Sequence, residues 1–87
     1  MRQAARVDAN QAEIVDALRR VGAFVWICSR LGDGFPDLFV VFREQVYLLE
    51  CKSPGGRLTG AEQRFIAACP ARVHVVRNAD EALRAIG

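Results

Sequence analysis

Three side chains carry the chemistry this sequence offers: Asp37, Glu50 and Lys52. Asp37 opens an apolar run that reaches Phe42, and Glu50-Cys51-Lys52 closes a second run that begins at Val46. Only Arg43-Glu44-Gln45 lies between them, so the two runs read as a hairpin. With Glu44 and Gln45 as a two-residue turn, Asp37 faces Lys52 and Phe39 faces Glu50. Side chains alternate along a strand, which puts Glu50 and Lys52 on one face, about 6.6 Å apart. Asp37 shares that face and lies diagonal to Glu50. Two carboxylates make a hard, oxygen-rich site that suits Mg²⁺ or Mn²⁺. Such an ion neutralises a phosphodiester and acidifies a bound water, and an ammonium beside it can hold that water or stabilise charge on a phosphorane. Cys51 points to the opposite face, toward the core, but its backbone carbonyl lies between the two charged residues and is a candidate third metal ligand. The competing reading is a cross-strand ion pair between Asp37 and Lys52, of the weakly stabilising surface kind. Against it, Lys52 follows the apolar Tyr47-Leu48-Leu49, and the other eleven of the twelve basic residues are arginine. A compact ammonium suits a target that arginine's wide fork does not.

The bulk composition excludes several alternatives. A chain of 87 residues makes a single domain, 1–87. At 52% hydrophobic and 25% charged it is globular in composition, not disordered. The formal charge of +2 names no partner. The longest apolar runs, residues 23–28 and 38–42, are strand-sized, whereas a membrane span needs about 20 residues. No membrane association and no signal peptide are expected. Three cysteines without a CxxC pair argue against a disulfide scaffold or zinc knuckle, and point to free thiols in a reducing cytoplasm. His74 is the single histidine, which excludes chemistry that needs two, and it is read as structural. A chain this small buries only about 60–65% of its unfolded surface, so a homodimer is expected.

The elements that must position the three residues follow from periodicity. Val7, Ile14, Leu18 and Val21 form one apolar helix face, predicting a helix from residue 8 or 10 to 21, with Asp8 or Asn10 as cap and Gly22 as stop. Strands are predicted over 23–28, 37–42, 46–52 and 73–77, with Phe24 and Trp26 read as core. Thr59 and Glu62 form a capping box that opens a helix reaching Ala68. Asn78 caps a last helix that ends at Gly87. The order is helix-strand-strand-strand-helix-strand-helix. Short loops make the first three strands antiparallel, and the helical crossover makes the last one parallel to the third. The fold class is therefore α/β with a mixed four-stranded sheet.

Residues around the hairpin suggest contacts to a polyanion. Ser29, Arg30, Gly32 and Gly34 precede the Asp37 strand, where glycine allows close backbone approach and arginine can pair with phosphate. An ordinary flexible loop is the competing reading. Arg57 and Arg64 flank the capped helix and are candidate backbone contacts, or equally part of a solvated face.

These residues together resemble a known family. Pro36-Asp37, followed after twelve residues by Glu50-Cys51-Lys52, is similar to the signature of the PD-(D/E)xK nuclease superfamily. The closer likeness is to VRR-NUC (virus-type replication-repair nuclease) domains, small phage-type stand-alone members in particular. It runs from Asp8 to Ile14, through residues 32–38, 49–52 and 56–63, to Val75-Val76-Arg77. The resemblance implies a restriction-endonuclease-like core and a metal-dependent endonuclease that hydrolyses DNA phosphodiester bonds. Selectivity for branched or junction DNA and action as a homodimer, in a bacterial or phage-infected cytoplasm, would follow. It implies that Asp37 and Glu50 hold the metal, that Lys52 positions or activates the attacking water, and that Gln63 sits beside the site. It also implies an acid on the first helix, for which Glu13 is the candidate. Counting about eleven residues back from Gly22, as in related junction resolvases, reaches Gln11 instead, about 200° around the helix. With Glu13, Asp37 and Glu50 set aside, twelve basic side chains face seven acidic ones, a balance that suits a polyanion. Two alternatives from other classes are a non-catalytic nucleic-acid-binding module of the same fold and a protein-interaction domain.

Overall fold

The computed structural model describes residues 10–87. The expected contributions of Val7 and Asp8 to the first helix lie outside that range. The elements are α1 (Gln11–Arg20), β1 (Phe24–Ile27), β2 (Leu38–Phe42), β3 (Gln45–Cys51), α2 (Gly60–Ala68), β4 (Val73–Val76) and α3 (Ala79–Ile86). The strands form one sheet in the order β1-β2-β3-β4, antiparallel except for the parallel β3–β4 pair. The α/β class, the element order and the mixed sheet are those expected.

One sheet face builds the core. Val25, Leu38, Val40, Leu49, Cys51 and Val76 bury there against Ile14, Val15 and Leu18 of α1 and Ala82 and Ile86 of α3. Full burial of each large aliphatic side chain stabilises by about 1.5–3 kcal/mol, so this face holds the sheet and both helices as one unit. Gly22, at φ +91, ends α1 in a left-handed turn, and its N–H bonds the Arg19 carbonyl at 3.0 Å.

The hairpin turn differs from expectation by one residue. Arg43 and Glu44, at φ 52 and 68, are its central pair, and Phe42 faces Gln45. Two left-handed central residues give the turn a twist that matches the flanking strands. The pairing is Leu38↔Leu49, Phe39↔Leu48, Val40↔Tyr47 and Val41↔Val46. A turn one residue later would set Val46 against Arg43, whereas this register makes the β-branched pair Val41–Val46. Every partner therefore moves by two positions, and Asp37 falls opposite Glu50 rather than Lys52. An even shift leaves each side chain on its face, so the carboxylates and the lysine stay together.

Phe24 and Trp26 are not core. They are 52% and 63% exposed and stack on each other, with centroids 6.1 Å apart, on the face opposite α1 and α3. The helix on their side, α2, contributes no fully buried side chain. It packs through Phe65 edge-on to Phe35 (centroids 5.2 Å apart) and through Ala61, whose backbone a Cβ on Gly34 would overlap. Gly34 is thus required for the loop before Asp37 to meet α2.

Candidate active site

The carboxyl of Asp37 is fixed from two sides. Its Oδ2 accepts the Cys51 N–H at 2.9 Å, and its Oδ1 accepts the Ser29 hydroxyl at 3.3 Å. The Asp37 carbonyl accepts the Cys28 N–H at 2.6 Å, which continues the β1–β2 ladder by one residue. Cys51 therefore aims its N–H at the Asp37 side, and an extended backbone turns its carbonyl to the same edge. The Cys51 side chain is buried in the core on the other face. Cys28 and Cys69 are free thiols as well, and burial pushes the Cys28 thiol up.

Glu50 is 2% exposed, and its Oε1 meets no donor among the described residues. Its neighbours are the carboxyls of Asp37 and Glu62, which donate only when protonated. Lys52 Nζ lies 3.7 Å from Glu50 Oε2 and 2.9 Å from Glu62 Oε1. Burial, and then the two neighbouring carboxyls, push the Glu50 carboxyl up to about 9, against the opposing pull of Lys52. Burial also raises the Asp37 carboxyl, opposed by its hydrogen bonds with Cys51, Glu50 and Ser29. Burial acts on Glu62 in the same sense, but there Lys52 and the Thr59 N–H win and hold it below its usual range. Glu50 thus has Asp37 as one neighbour and the Lys52–Glu62 pair as the other, in a cluster short of positive charge.

The surroundings tie this cluster to the fold. The Asn10 amide donates to the carbonyls of Lys52 (3.0 Å) and Arg77 (2.7 Å) rather than capping α1 with its side chain. Arg77 donates to Ser53 O at 2.7 Å and Gly56 O at 2.8 Å, holding the turn that follows Lys52. Gln11 is 4% exposed and its amide donates to Ser29 Oγ at 3.1 Å, which leaves the one hydroxyl proton of Ser29 for Asp37. Gln11, Ser29 and Asp37 thus form a continuous polar chain from α1 to the hairpin.

The structure does not bring every expected residue to this place. Glu13 is exposed on α1, on the side of the helix away from Gln11; an amide, not an acid, is what α1 presents to the cluster. Gln63 is exposed and its amide donates to the Leu58 carbonyl at 3.2 Å. The residue of α2 that enters is its neighbour Glu62, which sequence reasoning placed only in a capping box. The signal was present, because an acid at the third helical position lies within the first turn, close to the strand that precedes the helix. Ser29 joins the network. Arg30, Arg57 and Arg64 are exposed, and Gly32, at φ +74, shapes the loop between Ser29 and Asp37. His74 lies on β4, where burial and Arg72 lower its pKa. Among the described residues no group of three or more His, Cys, Asp and Glu side chains forms a ready-made metal cage.

The sequence profile of the VRR-NUC domain matches residues 2–80. The chain belongs to the VRR-NUC domain family. The match takes in α1, the whole sheet and α2, so the family's domain and this sheet are one unit. Its function is of the nuclease type in general. No curated protein and no solved structure matches the chain. No helix among the described residues is long and apolar enough to cross a membrane.

Proposed function

We propose that this VRR-NUC domain is a metal-dependent nuclease that hydrolyses DNA phosphodiester bonds, acting by preference on branched or junction DNA. The observation that carries the reading is the buried Glu50. One of its oxygens lacks a donor, a second carboxyl faces it across the hairpin, and a lysine lies at its side. Burying such a group without a counterion is costly. A divalent cation supplies the missing charge, and the hard oxygen donors fit Mg²⁺ or Mn²⁺, which need only one or two carboxylates beside water and substrate phosphates. Asp37, Glu50 and the Cys51 carbonyl would hold it. Bound there, the ion would polarise the phosphodiester and lower the pKa of a water. Lys52 orients the attacking water and stabilises the negative charge that builds on phosphorus. The water oxygen forms the new P–O bond as one ester P–O bond breaks. The Gln11–Ser29 chain keeps Asp37 turned toward Glu50. Arg30, Arg57 and Arg64, with the backbone at Gly32 and Gly34, would supply contacts to the DNA backbone.

Cleavage of linear, flapped and four-way DNA tests this reading. Products should appear with Mg²⁺ or Mn²⁺, vanish in EDTA and be lost in Asp37→Ala. DNA binding indifferent to metal and to Asp37→Ala, without cleavage, would make the domain a non-catalytic binding module instead.

The open sheet face supports a homodimer. Its cross-strand rows are Phe24, Val41 and Val46, then Trp26, Phe39, Leu48 and Val73, and the next row holds Asp37 and Glu50. Phe24, Trp26 and Val46 are each more than half exposed. An 87-residue chain has little apolar surface to spare. A second copy laid on these rows would cover them and set two carboxylate rows near each other, a match for two strands of branched DNA. Sedimentation velocity should show a dimer for the wild type and a monomer for Trp26→Glu, with the circular dichroism of both unchanged. A monomeric wild type at tens of micromolar would exclude the dimer.

A further inference from the structure

Lys52 lies between two carboxylates and leans to the one that is not on its own strand. Its Nζ is 2.9 Å from Glu62 Oε1 against 3.7 Å from Glu50 Oε2. A lysine side chain is a flexible four-carbon stem with many rotamers, so the backbone alone does not fix where the ammonium sits. Glu62 is fixed. Its Oε1 accepts the Thr59 N–H at 2.8 Å, while its own N–H reaches Thr59 Oγ1 at 3.1 Å. The helix that carries it is wedged against the Asp37 loop through Gly34, Phe35 and Phe65. One oxygen therefore closes the cap of α2 and takes the ammonium of Lys52, the residue after β3.

We propose that Glu62 is a positioning residue: it draws the Lys52 ammonium toward α2 and away from Glu50, and so sets the point from which Lys52 acts on the reacting phosphodiester. The proposal rests on the nuclease reading above. It assigns α2 a share in the chemistry through an acid, where the family resemblance pointed to Gln63. The charge of Glu62, rather than its place in the cap, is what the role requires.

Glu62→Gln separates the two. Glutamine completes a capping box as glutamate does, but it cannot pair with an ammonium. The variant should fold to the same structure, with a modestly lower Tm because the ion pair is lost, and bind DNA equally well in Ca²⁺. Its kcat should fall about 10- to 100-fold with KM unchanged, the size of loss that follows a misplaced catalytic group. Lys52 is the chain's one lysine, so ¹³C-lysine labelling gives a single side chain to follow by NMR. Its two Hε protons should be distinct in the wild type and averaged in Glu62→Gln. Unchanged kcat, or unchanged Hε signals, overturns the proposal. A wild type that cleaves nothing in any metal overturns the nuclease reading, and the lysine signal then decides by itself whether Glu62 holds Lys52.

Discussion

Lys52→Ala should lower kcat for DNA cleavage by about 10³-fold while leaving DNA binding in Ca²⁺ within a few-fold of wild type. General acid–base participation contributes typically about 10²–10⁴-fold, and a preorganised charge at a developing oxyanion about 10²–10³-fold. On the proposed mechanism Lys52 would serve in one or both of these ways. The ammonium approaches Glu50 and Glu62 on the face that carries Asp37. Binding should survive because the exposed arginines, not Lys52, face the solvent from which DNA arrives. Lys52→Arg should rescue poorly, since a planar fork cannot occupy the space of a compact ammonium between two carboxyls. Full activity in Lys52→Ala would remove the lysine from the chemistry and leave the cluster a structural network.

The second large effect concerns pH and metal together. Glu50 is held near 9 in the folded chain against 4.5 when exposed. Between those values the folded protein binds more protons at this site than the unfolded one, so metal-free stability falls as pH rises. Asp37, also raised, adds in the same sense. Glu62 is lowered, so its contribution is present above its ordinary value and is lost only as the pH falls into the acid range. Lys52 opposes the rise of Glu50 without cancelling it. In EDTA, thermal melting should therefore drop between pH 5 and pH 9, and Glu50→Gln should flatten that slope. At pH 8 the variant should melt higher than metal-free wild type by about 5 °C or more, on the scale of roughly 4–8 °C per kcal/mol for a domain of this size. Mn²⁺ should reverse the wild-type trend. An ion that displaces the Glu50 proton binds more tightly as pH rises and stabilises the folded state by mass action. The variant should lose most of that shift. A metal-free wild type whose Tm is flat from pH 5 to 9 would show that Glu50 is not held protonated.

Much of this arrangement could be read before any coordinates. Periodicity and turn residues give the element order, and the parity of the hairpin gives the shared face of Asp37, Glu50 and Lys52. The exact opposition did not follow, because Arg43 and Glu44 are not residues that announce a left-handed turn. Both are compatible with several turns, and the Val41–Val46 pair decides among them. On α1 the choice between Gln11 and Glu13 is one of helix phase. Charge favoured Glu13, but the apolar stripe of Ile14, Val15 and Leu18 turns Gln11 inward. On α2 the likeness to a family motif drew attention to Gln63, while the cap geometry commits Glu62 to the strand side. Phe24 and Trp26 look like core residues by type. Whether anything covers them depends on where α2 docks, and α2 buries too little of its own surface to reveal that in its sequence.

The stitches made by Asn10 and Arg77 decide which partner yields. Just past the last pair of β3 and β4 the carbonyls of Lys52 and Arg77 share one amide, while Arg77 clasps the turn beyond Lys52. The chain on either side of Lys52 is thereby tied to its neighbours by four hydrogen bonds. On the nuclease reading proposed above, a nucleic acid bound there would have to supply any bending itself. Stiff, fully stacked duplex resists that distortion, whereas an interrupted helix gives way cheaply. Discrimination by deformability would then arise without a single contact to a base.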